Sequence, residues 1–317
     1  MVFPPPSTSE IARLSANFAL KAGARDNTVV LLTLLFFIMV LVSAYLGWSA
    51  TDTVNAIYAK TIPVLLAHGK PIPPNPVGDT PVLSLFRNMV TYVGLLGALA
   101  ALVLGHQTVA ADRKGGVMPL LFSRPVSRTG IALGKIAAII FSIAAALAAA
   151  GLVNALTMLM LPGLSLTGTV WLGLLMFYGV SALYMVAFGL LGAVSAAAFK
   201  TESMALLVPI TIWLALTFIV PQMTANIGPM AALNPQSANL VVPTGTFFDI
   251  ASAILGPVSI AESYRYLASS ILEITPGAGR TTVEGALLAL ILANLALAWA
   301  FILTVKKFDA CRSTYRD

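Results

Sequence analysis

Residues 136–199 read IAAIIFSIAAALAAAGLVNALTMLMLPGLSLTGTVWLGLLMFYGVSALYMVAFGLLGAVSAAAF, with no charged side chain from Ile136 to Phe199. At about 1.5 Å per helical residue, this run far exceeds one crossing of a ~30 Å hydrocarbon layer. Leu161-Pro162-Gly163, followed by Ser165, Thr167 and Gly168, breaks it. The spacing predicts two membrane-spanning helices, at about 131–157 and 170–193.

The whole chain agrees. It is 58% hydrophobic and 9% charged, with mean hydropathy +0.92. Soluble domains carry about 25% charged residues, so this chain has too few to cover a water-facing surface. Lipid as solvent leaves helices or a closed barrel, and long continuous apolar runs favour helices. The net charge of +6 then reads as the Lys/Arg bias of cytoplasmic loops rather than a nucleic-acid footprint. Cys311 is the single cysteine, which excludes an intrachain disulfide and any Cys-x-x-Cys zinc spacing.

Working outward, further spans are predicted at about 28–48, 87–105, 204–220 and 284–305. The first apolar run begins only near Thr28 and is long enough to stay in the membrane, so it does not read as a cleaved signal. Before it, residues 1–27 hold Ser7-Thr8-Ser9-Glu10 cap chemistry, then Ile11, Leu14 and Phe18 at helical spacing. They are expected to form an amphipathic interface helix. Residues 49–86, crowded with prolines from Pro71 to Pro81, are expected to be an extended loop. Residues 221–283 form a second large loop. Its pieces Phe247 to Leu255 and Tyr264 to Ile274 suit short surface-lying or re-entrant helices. The expected fold is a single all-α domain over 1–317: an integral membrane protein with six transmembrane helices, the N-terminal interface helix, a cytoplasmic loop at 106–130 and short extracytoplasmic helices between spans five and six. Of the 18 Lys+Arg, 13 fall in the two termini, the 105–135 stretch and the turn at Lys200. That places both termini in the cytoplasm and the two large loops outside.

Catalytic patterns are absent from the sequence. There is no His-Glu-x-x-His and no Gly-x-Ser-x-Gly, and Gly134-Lys135 lacks the upstream glycine of a nucleotide-binding loop. His68 and His106 fall on opposite sides of the expected membrane, so they cannot share a metal. Apart from His106 at one border, the expected spans offer no intramembrane ionisable group for a proton relay.

The remaining feature is the loop between spans two and three. Gly105 to Lys135 carries Arg113, Lys114, Arg124, Arg128 and Lys135 against one anion, Asp112. Gly115-Gly116 permits a sharp turn and Pro119 can open a helical turn. Val117, Leu120, Leu121 and Phe122 supply an apolar contact, and Arg124 and Arg128 can anchor at acidic groups or phosphates. Such an element can receive a push from a motor subunit. The same cations can equally serve only to orient the chain in the membrane.

This stretch resembles the ABC-2 type permeases, the membrane subunits of ABC exporters. The resemblance rests on Asp112-Arg113-Lys114-Gly115-Gly116, Leu120-Leu121, Pro125-Val126-Ser127-Arg128 and Leu133-Gly134-Lys135. It extends to the six-span layout and to Leu233-Asn234-Pro235. The family's usual Glu before the Arg is Asp112 here, and its usual Thr after the first Gly is Gly116. The copper-enzyme-maturation permeases are a similar branch, whose substrate is not carried over. The resemblance implies that the loop is a coupling helix docking on a separate ATPase, with Asp112, Arg113, Lys114, Gly115, Leu120, Leu121, Arg124 and Arg128 as coupling residues. ATP and Mg would then bind the partner, with no cofactor or metal in this chain. It implies a second permease chain, as homodimer or heterodimer, in a bacterial inner membrane.

Polar residues within spans are candidates for lining a path: Asn88, Tyr92, Asn154, Tyr178, Tyr184 and Asn294. Each reads equally as glue between helices. Against the exporter stands a non-transporting membrane module that passes force to an extracytoplasmic partner. An integral-membrane enzyme finds no support in the residues.

Overall fold

A computed structural model of the chain describes residues 7–116, 126–161, 164–224, 245–256, 259–274 and 282–307. Its elements are α1 (Thr8–Gly23), α2 (Asn27–Ala67), α3 (Pro76–Asp79), α4 (Val82–Lys114), α5 (Arg128–Met160), α6 (Gly168–Ala198), α7 (Glu202–Met223), α8 (Thr246–Leu255), α9 (Ile260–Ile271) and α10 (Val283–Lys306). No strand occurs among the described residues. Six helices, α2, α4, α5, α6, α7 and α10, are long and apolar enough to cross a membrane. Leu152, Leu159, Leu175, Leu292 and Leu295 stay exposed on them. An apolar outer surface of this kind is what a lipid solvent selects.

Helix α6 is the centre of the bundle, and α4, α5, α7, α9 and α10 all pack on it. Its crossing with α4 is backbone to backbone. A Cβ placed on Gly105 would lie 1.8 Å from the Gly189 carbonyl oxygen, and one on Gly192 would lie 2.1 Å from that of Leu102. Small residues let membrane helices approach this closely, where dispersion replaces the missing hydrophobic drive. Phe36, Leu102, Ile139, Phe177, Phe188 and Phe301 fill the core around the crossing.

Helix α1 begins with the capping box read from the sequence. The Ser7 amide donates to Glu10 Oε2 at 2.9 Å and the Glu10 amide donates to Ser7 Oγ at 3.3 Å. The helix lies on the first turns of α5, where Gly134 leaves 2.3 Å between a built Cβ and the Ala12 carbonyl. Ile11 is therefore buried against α5, while Leu14 and Phe18 remain exposed.

The region after Trp48 departs from expectation. Helix α2 continues to Ala67, with Pro63 inside it. Its 41 residues span about 60 Å at 1.5 Å each, twice the ~30 Å hydrocarbon layer. Polarity beyond Trp48 suggested loop, yet that stretch has no Pro or Gly before Pro63 and keeps its backbone bonds inside a solvated helix. The proline-rich segment after it is tied back to this stalk. Tyr58 OH donates to the Pro73 carbonyl at 2.8 Å, and Asn75 Nδ2 donates to Asn55 Oδ1 at 2.9 Å.

Two helices carry a π turn, Val93–Gly97 in α4 and Ala215–Ile219 in α7. Single π turns inside helices concentrate at functional places. Helix α9, which is too short to span, touches both.

Candidate functional site

The stems of the basic loop are fastened to the rest of the bundle by four polar latches. Asp112 closes α4 and Lys135 lies two turns into α5. Both are buried, and Lys135 Nζ donates to Asp112 Oδ2 at 2.5 Å and to the Thr108 carbonyl at 2.5 Å. This buried pair corrects the expectation that the spans hold no ionisable group but His106. Lys135 already lies within the expected 131–157 span, and α4 runs past its expected end at 105, so Asp112 too is carried into the packed interior.

Arg113, 2% exposed, forms the second latch. Its Nη1 donates to the carbonyls of Ala196 at 2.5 Å and Phe199 at 2.7 Å. The last carbonyls of a helix lack intrahelical donors, so a guanidinium at the end of α6 satisfies them. Lys114 pairs with Glu202 at 2.5 Å, joining α4 to the first turn of α7. Both side chains are nearly half exposed, a setting in which a pair contributes about 0–1 kcal/mol. Arg128, the first residue of α5, donates from Nη1 to the Lys306 carbonyl at 2.7 Å and so caps α10. Gly116 ends α4 at φ 63°, a left-handed turn that suits glycine.

Each predicted coupling residue therefore has a place or falls outside view. Asp112 and Arg113 face inward and bind this chain, so they offer no surface to a partner. Lys114 and Gly115 are exposed, and Arg128 is bonded to α10. Leu120, Leu121 and Arg124 lie outside the described residues, as does the predicted coupling helix itself.

The candidate path residues are not gathered into one cavity. Asn154 Nδ2 donates to Tyr178 OH at 2.8 Å, joining α5 to α6. Tyr184 OH donates to the Gly94 carbonyl at 3.0 Å, joining α6 to the π turn of α4. Asn294 Nδ2 donates to the Leu183 carbonyl at 2.9 Å, joining α10 to α6. Asn88 is half-buried and lines a cavity of about 360 Å³ between α4 and the α2 stalk, with Thr51, Thr80, Ser84 and Arg87. Tyr92 is half-buried on α4.

A second polar cluster, not read from the sequence, sits at the opposite end of the bundle. Helix α9 stacks Tyr264 on Tyr184 with ring centroids 4.3 Å apart and 15° between planes. Ser181 Oγ is 3.3 Å from Tyr264 OH. Glu262 accepts a short hydrogen bond from the Thr224 hydroxyl just past α7, and Arg265 Nη2 lies 4.0 Å from Glu262 Oε1. Burial pushes the Glu262 carboxyl above the usual carboxylate range, against the opposite pulls of Thr224 and Arg265. The available signal was Glu262-x-x-Arg265, an i,i+3 charge pair in a chain otherwise nearly free of charge.

The geometry thus defines a multi-pass helical membrane protein in which the stems of the basic loop are latched to each other and to α6, α7 and α10. Residues 19–307 match the model of the ABC-2 family transporter proteins, and the chain belongs to that family. Its members are membrane components of ABC transporters, which work with an ABC ATPase and often as dimers. No curated protein matches the chain.

Proposed function

We propose that this chain is the permease subunit of an ATP-binding cassette exporter in a bacterial inner membrane, with both termini cytoplasmic. A separate ATPase binds ATP and Mg, docks on the 106–130 loop and drives the cycle. Two permease chains, identical or related, enclose the path. The supporting observation is the set of four latches. A load on the loop reaches α4 and α5, and through Arg113, Lys114 and Arg128 it reaches α6, α7 and α10. Rigid helices joined by polar contacts are the physical means by which a push at one end becomes a rearrangement at the other.

The test uses the permease co-purified with its ATPase and reconstituted into vesicles. Replacing Leu121 and Arg128 together with alanine is expected to leave ATP hydrolysis by the complex measurable and to abolish ATP-dependent transport. Unchanged transport, or failure of any ATPase to co-purify from native membranes, overturns the reading.

One observation favours a second reading, a module that passes force outward without moving solute. The α2 stalk reaches well beyond the hydrocarbon layer and is braced by the Pro71–Pro81 segment, which gives an extracytoplasmic partner a rigid hold. ATP-dependent accumulation of any substrate in vesicles excludes this second reading.

A further inference from the structure

A cavity of about 340 Å³ opens at the basic end of the bundle, between the end of α6 and the last turns of α10. Arg113, Lys200, Trp299, Ala300, Leu303 and Lys307 line it. Three of these are cations, and no acidic residue among the described residues lines it. The Arg113 guanidinium already serves the carbonyls of α6. The ammonium groups of Lys200 and Lys307 are exposed and have no ion pair or hydrogen bond among the described residues, since the nearby Glu202 is taken by Lys114.

The wall changes character along α10. Lys307 stands just past the end of the helix, while Trp299 lies two turns back, about 12 Å deeper at 1.5 Å per residue. Trp299 is 65% exposed, on the outer face of the span. Tryptophan at that depth sits where headgroups give way to acyl chains. A ligand that fills this cavity needs an anion at one end and a hydrocarbon body at the other. An acidic protein segment arriving from water reaches the lysines but not the tryptophan, whereas a membrane lipid reaches both.

We infer that this cavity is a binding site for an anionic phospholipid, with the headgroup phosphate between Lys200 and Lys307 and an acyl chain along Trp299 and Leu303. Basic pockets between spans are a recurring means of holding such headgroups. The site requires no transport activity and stands whether or not an ATPase docks on the loop.

The probe is phosphatidylglycerol, with phosphatidylcholine as the neutral lipid and inorganic phosphate as the free anion. Full-length protein in neutral detergent is titrated with each, and bound lipid is counted by native mass spectrometry. Lys200→Gln/Lys307→Gln is expected to weaken phosphatidylglycerol binding at least fivefold. Lys60→Gln/Lys70→Gln, the same charge change at the opposite end, is expected to leave it unchanged, and phosphatidylcholine is expected to bind all three proteins alike. Phosphatidylglycerol with brominated chains is expected to quench tryptophan fluorescence in the wild type and to quench the Trp299→Phe protein less. Equal phosphatidylglycerol binding in both double variants overturns the proposal. So does displacement of the lipid by millimolar phosphate, which assigns the site to a free anion. Equal quenching in Trp299→Phe overturns the placement of the chain.

Discussion

Two buried charge pairs mark the two ends of this bundle, and they are built differently. Asp112 and Lys135 come from separate spans and meet at 2.5 Å, with the Thr108 carbonyl taking a further ammonium hydrogen. Glu262 and Arg265 share one short helix and stand 4.0 Å apart, and Glu262 also accepts from the Thr224 hydroxyl. The first pair joins two spans. The second lies within one helix at longer range, beside two π turns. Burying charge is favourable only when its geometry is good, and the 2.5 Å pair between two spans meets that condition more closely than the 4.0 Å pair within one helix.

The comparison can be broken first at the Asp112–Lys135 pair. Lys135→Met alone leaves Asp112 buried without its partner and is expected to cost about 3–5 kcal/mol. Adding Asp112→Leu is expected to recover most of that loss. Thermal unfolding in detergent, run as a double-mutant cycle, checks both. Arg265→Met is expected to cost clearly less than Lys135→Met, and an equal loss would erase the difference between the ends.

The helix crossing beneath that pair comes next. Gly105→Ala drives a methyl into the Gly189 carbonyl and is expected to cost about 1–3 kcal/mol through forced separation of α4 and α6. Gly168→Ala, where no atom lies within 4 Å of the added Cβ, is expected to cost far less in the same assay.

The smaller effects sharpen the contrast. Burial holds the Glu262 pKa above its unfolded value, so the proton favours the folded state. Its stabilising contribution is complete below the ordinary carboxylate range and falls away as pH rises through the raised folded value. Glu262→Gln is expected to flatten that part of a plot of Tm against pH, and an unaltered profile would remove Glu262 as its source. Lys114→Ala, at the exposed latch, is expected to change stability by no more than about 1 kcal/mol.

Much of the architecture was legible before any coordinates. Hydropathy and length are local properties, and they placed six spans, the break near Pro162 and the amphipathic start with its Ser7–Glu10 cap. The stalk was misread for an equally local reason: polar residues after Trp48 look like loop when the helix is assumed to end with the membrane. At the loop, Asp112, Arg113, Lys114 and Arg128 stood out as charges in an apolar chain. Their targets did not, because three of the four latches join residues more than eighty positions apart.

Sequence by itself therefore determined the solvent of this protein, the number and type of its long elements, and its kinship with the ABC-2 permeases. The first two follow from side-chain chemistry summed over a window of neighbours, and the kinship from the resemblance of the Asp112 to Lys135 motifs. Only the tertiary structure decided that Asp112 and Arg113 turn inward, that Tyr264 stacks on Tyr184, and that Lys200 and Lys307 share a cavity with Trp299. Those arrangements depend on which helix ends converge, and backbone contact between α4 and α6 at Gly105, Gly189 and Gly192 sets that convergence.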